Sequence, residues 1–233
     1  MKALVLAAGI GQRLGKITKK IPKPMIQINE KPILEHNILL LKKSGIKDIY
    51  INLHHLSHEV EKFFESGKKW GVSITYLYER DLLGTSGTLK KNKDLFSNKC
   101  LVMYGDNLFH KDTNISSLID FHNKKKSDLT MALCEVEDIS LSGSVKIDSD
   151  NKIIKFIEKP KDLENKRGWV NAGIYIIENK LFKEIPEGKS DFSNDFIPKL
   201  LNSRYNLYAF NLNKIVLPID TPERLNQALN SYQ

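Results

Sequence analysis

Two stretches near the amino terminus carry residue types that could bind and act on a phosphate chain. Ala7-Ala8-Gly9-Ile10-Gly11-Gln12-Arg13-Leu14 is a turn of small residues ending in a guanidinium, and it follows the continuous apolar run Ala3-Leu4-Val5-Leu6-Ala7. Small side chains at the carboxyl end of a parallel strand let backbone N–H groups approach phosphate oxygens, so Leu6, Ala7, Ala8, Gly9 and Gly11 are candidate nucleotide contacts. Ile21-Pro22-Lys23-Pro24-Met25 follows, where two prolines are expected to hold Lys23 on a stiff extended loop within reach of the same phosphates. Arg13 and Lys23 are the candidate catalytic pair, able to clamp a triphosphate and neutralise charge developing on the transferred phosphoryl group. The turn lacks the third glycine of the dinucleotide fingerprint and the Gly-Lys-Ser/Thr ending of the P-loop, so neither class is supported.

Taken together, Leu6 to Leu14 and Pro22 to Met25 resemble the signature of the sugar-1-phosphate nucleotidyltransferases. That family includes guanylyl-, uridylyl- and thymidylyltransferases for hexose, heptose and muramate 1-phosphates. The resemblance implies that Arg13 grips the β- and γ-phosphates and Lys23 the α-phosphate. Glu79-Arg80-Asp81-Leu82-Leu83-Gly84-Thr85-Ser86-Gly87 is similar to the family's base-recognition loop. There Gly84 and Gly87 would let backbone approach a planar base, and Thr85 or Ser86 would cap the next helix. An ionised Glu79 only accepts hydrogen bonds, which suits the imide N–H of uracil or thymine or the N1–H and amino group of guanine, and places CTP lower.

Asp106, in Tyr104-Gly105-Asp106-Asn107, looks like the family's Mg²⁺-binding Gly-Asp, a hard oxygen donor at a strand's end. The second metal carboxylate would be Asp220, in Pro218-Ile219-Asp220-Thr221-Pro222-Glu223, although it stands where the family pattern has glycine. Its other reading is an N-cap ahead of Pro222. Sugar-phosphate contacts are expected from Gly143, from Glu158 and Lys159 before Pro160, from Asn171 in Val170-Asn171-Ala172-Gly173, and from Asp195. Ser142 precedes Gly143 where the family has an aromatic.

The implied reaction joins a nucleoside triphosphate to a sugar 1-phosphate, with GTP or UTP/dTTP favoured over CTP. A phosphate nucleophile is already ionised, so neither a general base nor a covalent intermediate is needed. Two alternatives stand beside it. One is a cytidylyltransferase acting on phosphocholine or another non-sugar phosphate, to which the Asp220-Thr221-Pro222 ending points. The other is a non-catalytic nucleotide-binding regulator.

These residues must be positioned by the alternating apolar and amphipathic segments of a 233-residue chain. Strands at Ala3–Ala7, 46–53, 72–78, 100–104 and 129–136 alternate with helices at 33–44, 57–68, 86–95 and 115–125, and Ser57 is expected to cap the second helix. This is α/β patterning: a Rossmann-like, mostly parallel sheet with helices on both faces. After Asp138 a hairpin about residues 148–151, a strand at 170–177 and helices at 192–201 and 222–231 form a small β-containing sugar-binding lobe. One domain over 1–233 is expected, with about 1–137 binding nucleotide and about 138–233 the sugar phosphate.

Composition narrows the partners. With 41% hydrophobic and 27% charged residues the chain is globular rather than disordered. The +8 net charge invites nucleic acid, but its lysines sit in short groups at predicted helix ends, a solvated pattern that favours neither nucleic acid nor membrane. Cys100 and Cys134 lie in separate apolar runs and are expected to be buried thiols, and His54, His55 and His58 read as loop residues rather than metal ligands. A cytoplasmic location fits, and a homo-oligomer stays open.

Overall fold

The computed structural model describes residues 1–232, and backbone contacts divide the chain into two compact units. The first comprises 1–82, 103–115 and the segment from 216 onward; the second comprises 83–102 and 116–215. The carboxyl-terminal helix therefore groups with the amino-terminal strands.

In the first unit, the strands Lys2–Leu6, Asp48–Leu53 and Ser73–Tyr78 lie parallel with Asp48–Leu53 in the middle. Their apolar runs are explained by burial: Ala3, Leu4, Val5 and Ile51 are fully covered. Helix Ile33–Lys43 buries Ile33, Leu34, Ile38 and Leu41 and stops at Ser44, with Gly45 in the left-handed region at φ 82°. The helix expected to run to Lys68 is Ser57–Phe64 instead, broken where Glu65 takes φ 46°. Leu56, not Ser57, occupies its N-cap, and no side chain caps it.

Short elements that periodicity missed do much of the positioning. Asn107–Phe109 pairs antiparallel with Val216–Pro218, which brings the chain after Asp106 alongside the chain before Asp220. A core of Leu14, Ile26, Ile28, Ile33, Leu108, Ile219, Leu225 and Ala228 lies beneath these segments. It ties the phosphate-loop end, the Lys23 segment and the start of the carboxyl-terminal helix Pro222–Ser231 into one packed body.

The second unit is the mixed one. Gly143–Ile147 and Ile153–Glu158 form the expected antiparallel hairpin, Gly168–Glu178 runs antiparallel to Leu129–Val136, and Leu207–Asn211 joins Leu129–Val136 in parallel. Tyr175 stacks on Phe192 with ring centroids 4.9 Å apart. The segment expected as one helix over 192–201 is a wide turn, Phe192–Phe196, leading into Ile197–Leu201. The α/β class is as expected. Cys100 and Cys134 are buried free thiols, and burial pushes the Cys100 thiol well up.

Candidate active site

The phosphate loop begins where the first strand ends. Leu6 is buried, and its carbonyl accepts from Gly105 N at 2.8 Å, which fixes the Gly-Asp turn beside it. A side chain at Gly105 would meet that same carbonyl at 2.9 Å, so this close approach requires glycine. Ala7 and Ala8 are buried, and Ala7 N donates to Asn52 Oδ1 at 2.7 Å. Gly9 is exposed, and a methyl group built there would enter open space. The backbone at Gly9 is thus accessible in the way a phosphate cradle needs.

Gly11 is constrained on two counts. Its φ of 70° is left-handed, and a Cβ would lie 2.9 Å from Thr18 Cγ2 and 3.3 Å from Lys23 Cβ. Thr18 Oγ1 donates to Gly11 O at 2.9 Å and closes the loop over the Lys23 segment. That segment differs from the extended loop expected. Pro22 is extended, but Lys23–Met25 forms a single helical turn, closed by Met25 N donating to Pro22 O at 2.8 Å. Lys23 is consequently buried.

Four of the charged candidates of this unit meet in pairs. Lys23 Nζ lies 2.5 Å from Asp106 Oδ2, and Arg13 Nη2 lies 2.8 Å from Asp220 Oδ2. Arg224 Nη1, which the sequence reading missed, takes the other oxygen of Asp220 at 2.9 Å. Asp220 is not the N-cap: Thr221 fills that position, accepting from Arg224 N at 3.3 Å. Ile219 N donates to Asp106 O at 3.1 Å, so the two carboxylate-bearing turns are stitched together by backbone.

Asp106 and Asp220 are hard oxygen donors of the kind Mg²⁺ takes, and Mg²⁺ is commonly held by one or two carboxylates with substrate phosphates completing the shell. The residues present fit that description. Among the described residues no group of three or more His, Cys, Asp or Glu forms a protein-only metal cage. His54, His55 and His58 make no such group either: His54 Nδ1 contacts Glu79 O at 2.8 Å and His55 Nε2 contacts Thr18 O at 3.1 Å.

Glu79 is a buried carboxylate at the end of the third parallel strand, and its Oε1 accepts from Asn52 Nδ2 at 2.8 Å. Asn52 was not singled out from sequence. The available signal was a polar residue inside the apolar strand Asp48–Leu53.

In the second unit, Gly84 and Gly87 each sit close against backbone of the 188–190 segment. A Cβ at Gly84 would lie 2.4 Å from Ser190 O, and one at Gly87 would lie 2.6 Å from Gly188 O. The amides of Ser86 and Gly87 donate to Ser190 O, and Asp191 Oδ1 accepts from both Thr85 N and Thr85 Oγ1. Neither Thr85 nor Ser86 caps helix Thr85–Lys91. The carboxylate of Asp191 does so from far along the chain.

The sugar-phosphate candidates are less gathered. Gly143 pairs in register with Glu158, and a Cβ there would meet Glu158 Oε2 at 2.9 Å, so those two adjoin. Lys159 follows with φ 46° and its N donates to Ser142 O. Asn171 accepts from Gly173 N at 2.9 Å and donates to Tyr175 Oη at 2.5 Å. Asp195 Oδ2 accepts from Asp191 N at 2.7 Å and so supports the Thr85 cap. Among the described residues no hydrogen bond or ion pair joins Glu158 or Lys159 to Asn171 or Asp195.

Comparison with known proteins gives the family of the chain. Residues 2–216 match the family model described as nucleotidyl transferase. A UTP–glucose-1-phosphate uridylyltransferase from Synechocystis is 37% identical over 91% of this chain, which spans 58% of that protein's length. A D-glycero-α-D-manno-heptose 1-phosphate guanylyltransferase from Aneurinibacillus thermoaerophilus is 30% identical over 100% of this chain and 99% of its own. Among solved structures, a Bacillus anthracis protein assigned as a glucose-1-phosphate thymidylyltransferase superposes with a TM-score of 0.87 at 29% identity, covering 98% of this chain and 94% of that one.

Proposed function

The chain belongs to the nucleotidyl transferase family, and from that premise we propose that it transfers a nucleotidyl group from GTP, UTP or dTTP to a sugar 1-phosphate. The products are a nucleoside-diphosphate sugar and pyrophosphate. Three relatives whose names carry uridylyl, guanylyl and thymidylyl transfer agree on a sugar 1-phosphate acceptor and differ in the base. The acceptor class is therefore better supported than the choice of nucleotide.

The observation that carries the reading is the pairing of Lys23 with Asp106 and Arg13 with Asp220 beside the open turn at Gly9. An oxygen of the sugar phosphate attacks the α-phosphorus; one P–O bond forms while the bond to the bridging β-phosphate oxygen breaks. Lys23 stabilises charge on the α-phosphate, and Arg13 holds the β- and γ-phosphates that leave as pyrophosphate. Mg²⁺, held by Asp106 and Asp220, would supply charge neutralisation and alignment of the phosphates. Glu79 reads the base, and Gly84 and Thr85 also serve the nucleotide. Gly143, Glu158, Lys159, Asn171 and Asp195 serve the sugar phosphate.

No described helix is long and apolar enough to cross a membrane. We place the enzyme in the cytoplasm, where the buried free thiols Cys100 and Cys134 would stay reduced. The deciding experiment mixes the protein and Mg²⁺ with a panel of triphosphates against several sugar 1-phosphates, plus phosphocholine, and reads pyrophosphate. Release with a sugar 1-phosphate and GTP, UTP or dTTP is expected. Release only with CTP and phosphocholine would replace the acceptor, and silence from folded protein across the panel would remove the activity.

A further inference from the structure

Three side-by-side strand ends, all in the first unit, are joined by one buried side chain. Asn52 leaves the central strand in register with Leu6 on one side and Leu77 on the other. It is 4% exposed, and Glu79 is 5% exposed. Its amide orientation is fixed by its partners rather than by choice. A backbone N–H can only donate, so Oδ1 faces Ala7 N at 2.7 Å; an ionised carboxylate can only accept, so Nδ2 faces Glu79 Oε1 at 2.8 Å. An asparagine offers one acceptor and one donor at this reach. Aspartate lacks the donor, and leucine lacks both.

The consequence is mechanical. Ala7 begins the phosphate loop and Glu79 ends the neighbouring strand but one, so Asn52 sets the distance between the loop and the carboxylate. The backbone reinforces this, with Glu79 N donating to Leu53 O at 2.9 Å and Glu79 O meeting His54 Nδ1 at 2.8 Å. Main-chain contacts hold Glu79's position, and Asn52 Nδ2 holds its Oε1.

We propose that Asn52 is a positioning residue for nucleotide choice: it locks the Glu79 carboxylate in one orientation relative to the phosphate loop, so that one base edge is preferred over others. This rests on the proposed function, in which Glu79 reads the base. Buried hydrogen bonds to a charged group are worth enough that losing one lowers kcat/KM for the preferred triphosphate by roughly tenfold or more. A poorly accepted triphosphate, which makes no use of the fixed carboxylate, loses much less. The ratio between the two, not the rate alone, is the signature.

The test compares wild type, Asn52→Ala, Glu79→Gln and the exchanged pair Asn52→Asp with Glu79→Gln, measuring kcat/KM for five triphosphates and Tm for each protein. Both single variants should narrow the discrimination ratio. The exchanged pair restores a donor–acceptor contact in reverse, so it should recover Tm while leaving discrimination narrowed. If Asn52→Ala lowers all five values equally, or keeps the wild-type ratio while only Tm falls, Asn52 is structural and the proposal fails with the proposed function intact. A wild-type protein that turns over none of the five overturns both.

Discussion

Lys23 Nζ lies 2.5 Å from Asp106 Oδ2, with the lysine side chain 7% exposed and the aspartate 34%. A buried ammonium needs a partner, and this one has a carboxylate on a neighbouring turn rather than water. The geometry makes Lys23→Ala an informative variant. The aspartate left behind is open enough to be hydrated, so Tm should stay near wild type. Loss of the charge proposed to face the α-phosphate should lower kcat by about 10²- to 10³-fold, the usual cost of removing one transition-state donor. Steady-state pyrophosphate release together with a melting curve checks both halves. A folded variant within a few-fold of wild-type kcat would take Lys23 out of the chemistry.

Each proposed phosphate-binding cation is paired with a proposed metal carboxylate, which predicts coupling between the two ligands. A triphosphate that takes Arg13 and Lys23 leaves Asp106 without its cation and Asp220 with Arg224 alone, and Mg²⁺ would compensate the freed oxygens. Either ligand alone must break ion pairs without replacing them. The rise in Tm with GTP or UTP plus Mg²⁺ should therefore exceed the sum of the rises with each alone, and Asp106→Asn should reduce that excess. Ca²⁺-free buffers and a chelator control make the measurement clean. Strictly additive shifts would show that the pairs do not gate binding.

Glycines 9 and 84 should behave oppositely when replaced by alanine. At Gly84, φ is 76° and the new methyl would sit 2.4 Å from a backbone oxygen, so the loop 188–191 must move and its cap on Thr85 is strained. Urea unfolding should show a loss of roughly 2–4 kcal/mol, the range for combined backbone strain and steric conflict. At Gly9 the methyl meets nothing within 4 Å. Stability should change by less than about 0.5 kcal/mol, as at ordinary surface sites. Activity should nonetheless fall, because the methyl stands where the phosphates are proposed to lie. A Gly9→Ala protein with unaltered KM for the triphosphate would move the phosphates elsewhere.

The legible part of this molecule was the part whose period repeats. Helices 115–125 and 222–231 lie where apolar spacing put them because burial follows one face of each, and the strand 129–136 because its first six residues are buried. Arg13, Lys23, Asp106 and Asp220 were recognisable as residue types in a spaced signature, and the structure brings them into two pairs. What stayed hidden depends on distant partners. Asp191 lies 106 positions from the Thr85 amide it caps, and Asn52 joins residues 45 and 27 positions away. Arg224 stands on a helix with nothing in its spacing to mark it, and only its contact with Asp220 gives it a place in the site. Nor did two-residue and three-residue strands such as Asn107–Phe109 offer enough length for alternation to register.

A last prediction concerns pH and a histidine of the second unit. His122 is 1% exposed, with Nε2 3.1 Å from Glu178 Oε1 and Nδ1 2.8 Å from Thr130 Oγ1. Burial dominates and holds its pKa below the usual 6.5, despite the opposing pull of Glu178. His36 is shifted the same way, again chiefly by burial. Well above pH 6.5 both rings are neutral in folded and unfolded chains alike, so their contribution is constant. As pH falls below 6.5, the unfolded chain takes up protons that the folded one resists, and stability must drop. The carboxylates Glu184 and Glu223, held below their usual 4.5, lose their contribution only at still lower pH, which leaves pH 6.5 to 5 to the histidines. Each proton excluded contributes at most about 1.4 kcal/mol per pH unit to the slope there. His122→Gln should be less stable at pH 7.5 but flatter between 6.5 and 5 in urea titrations. Parallel curves for wild type and variant would mean that His122 titrates alike in both states and that its burial imposes no acid sensitivity.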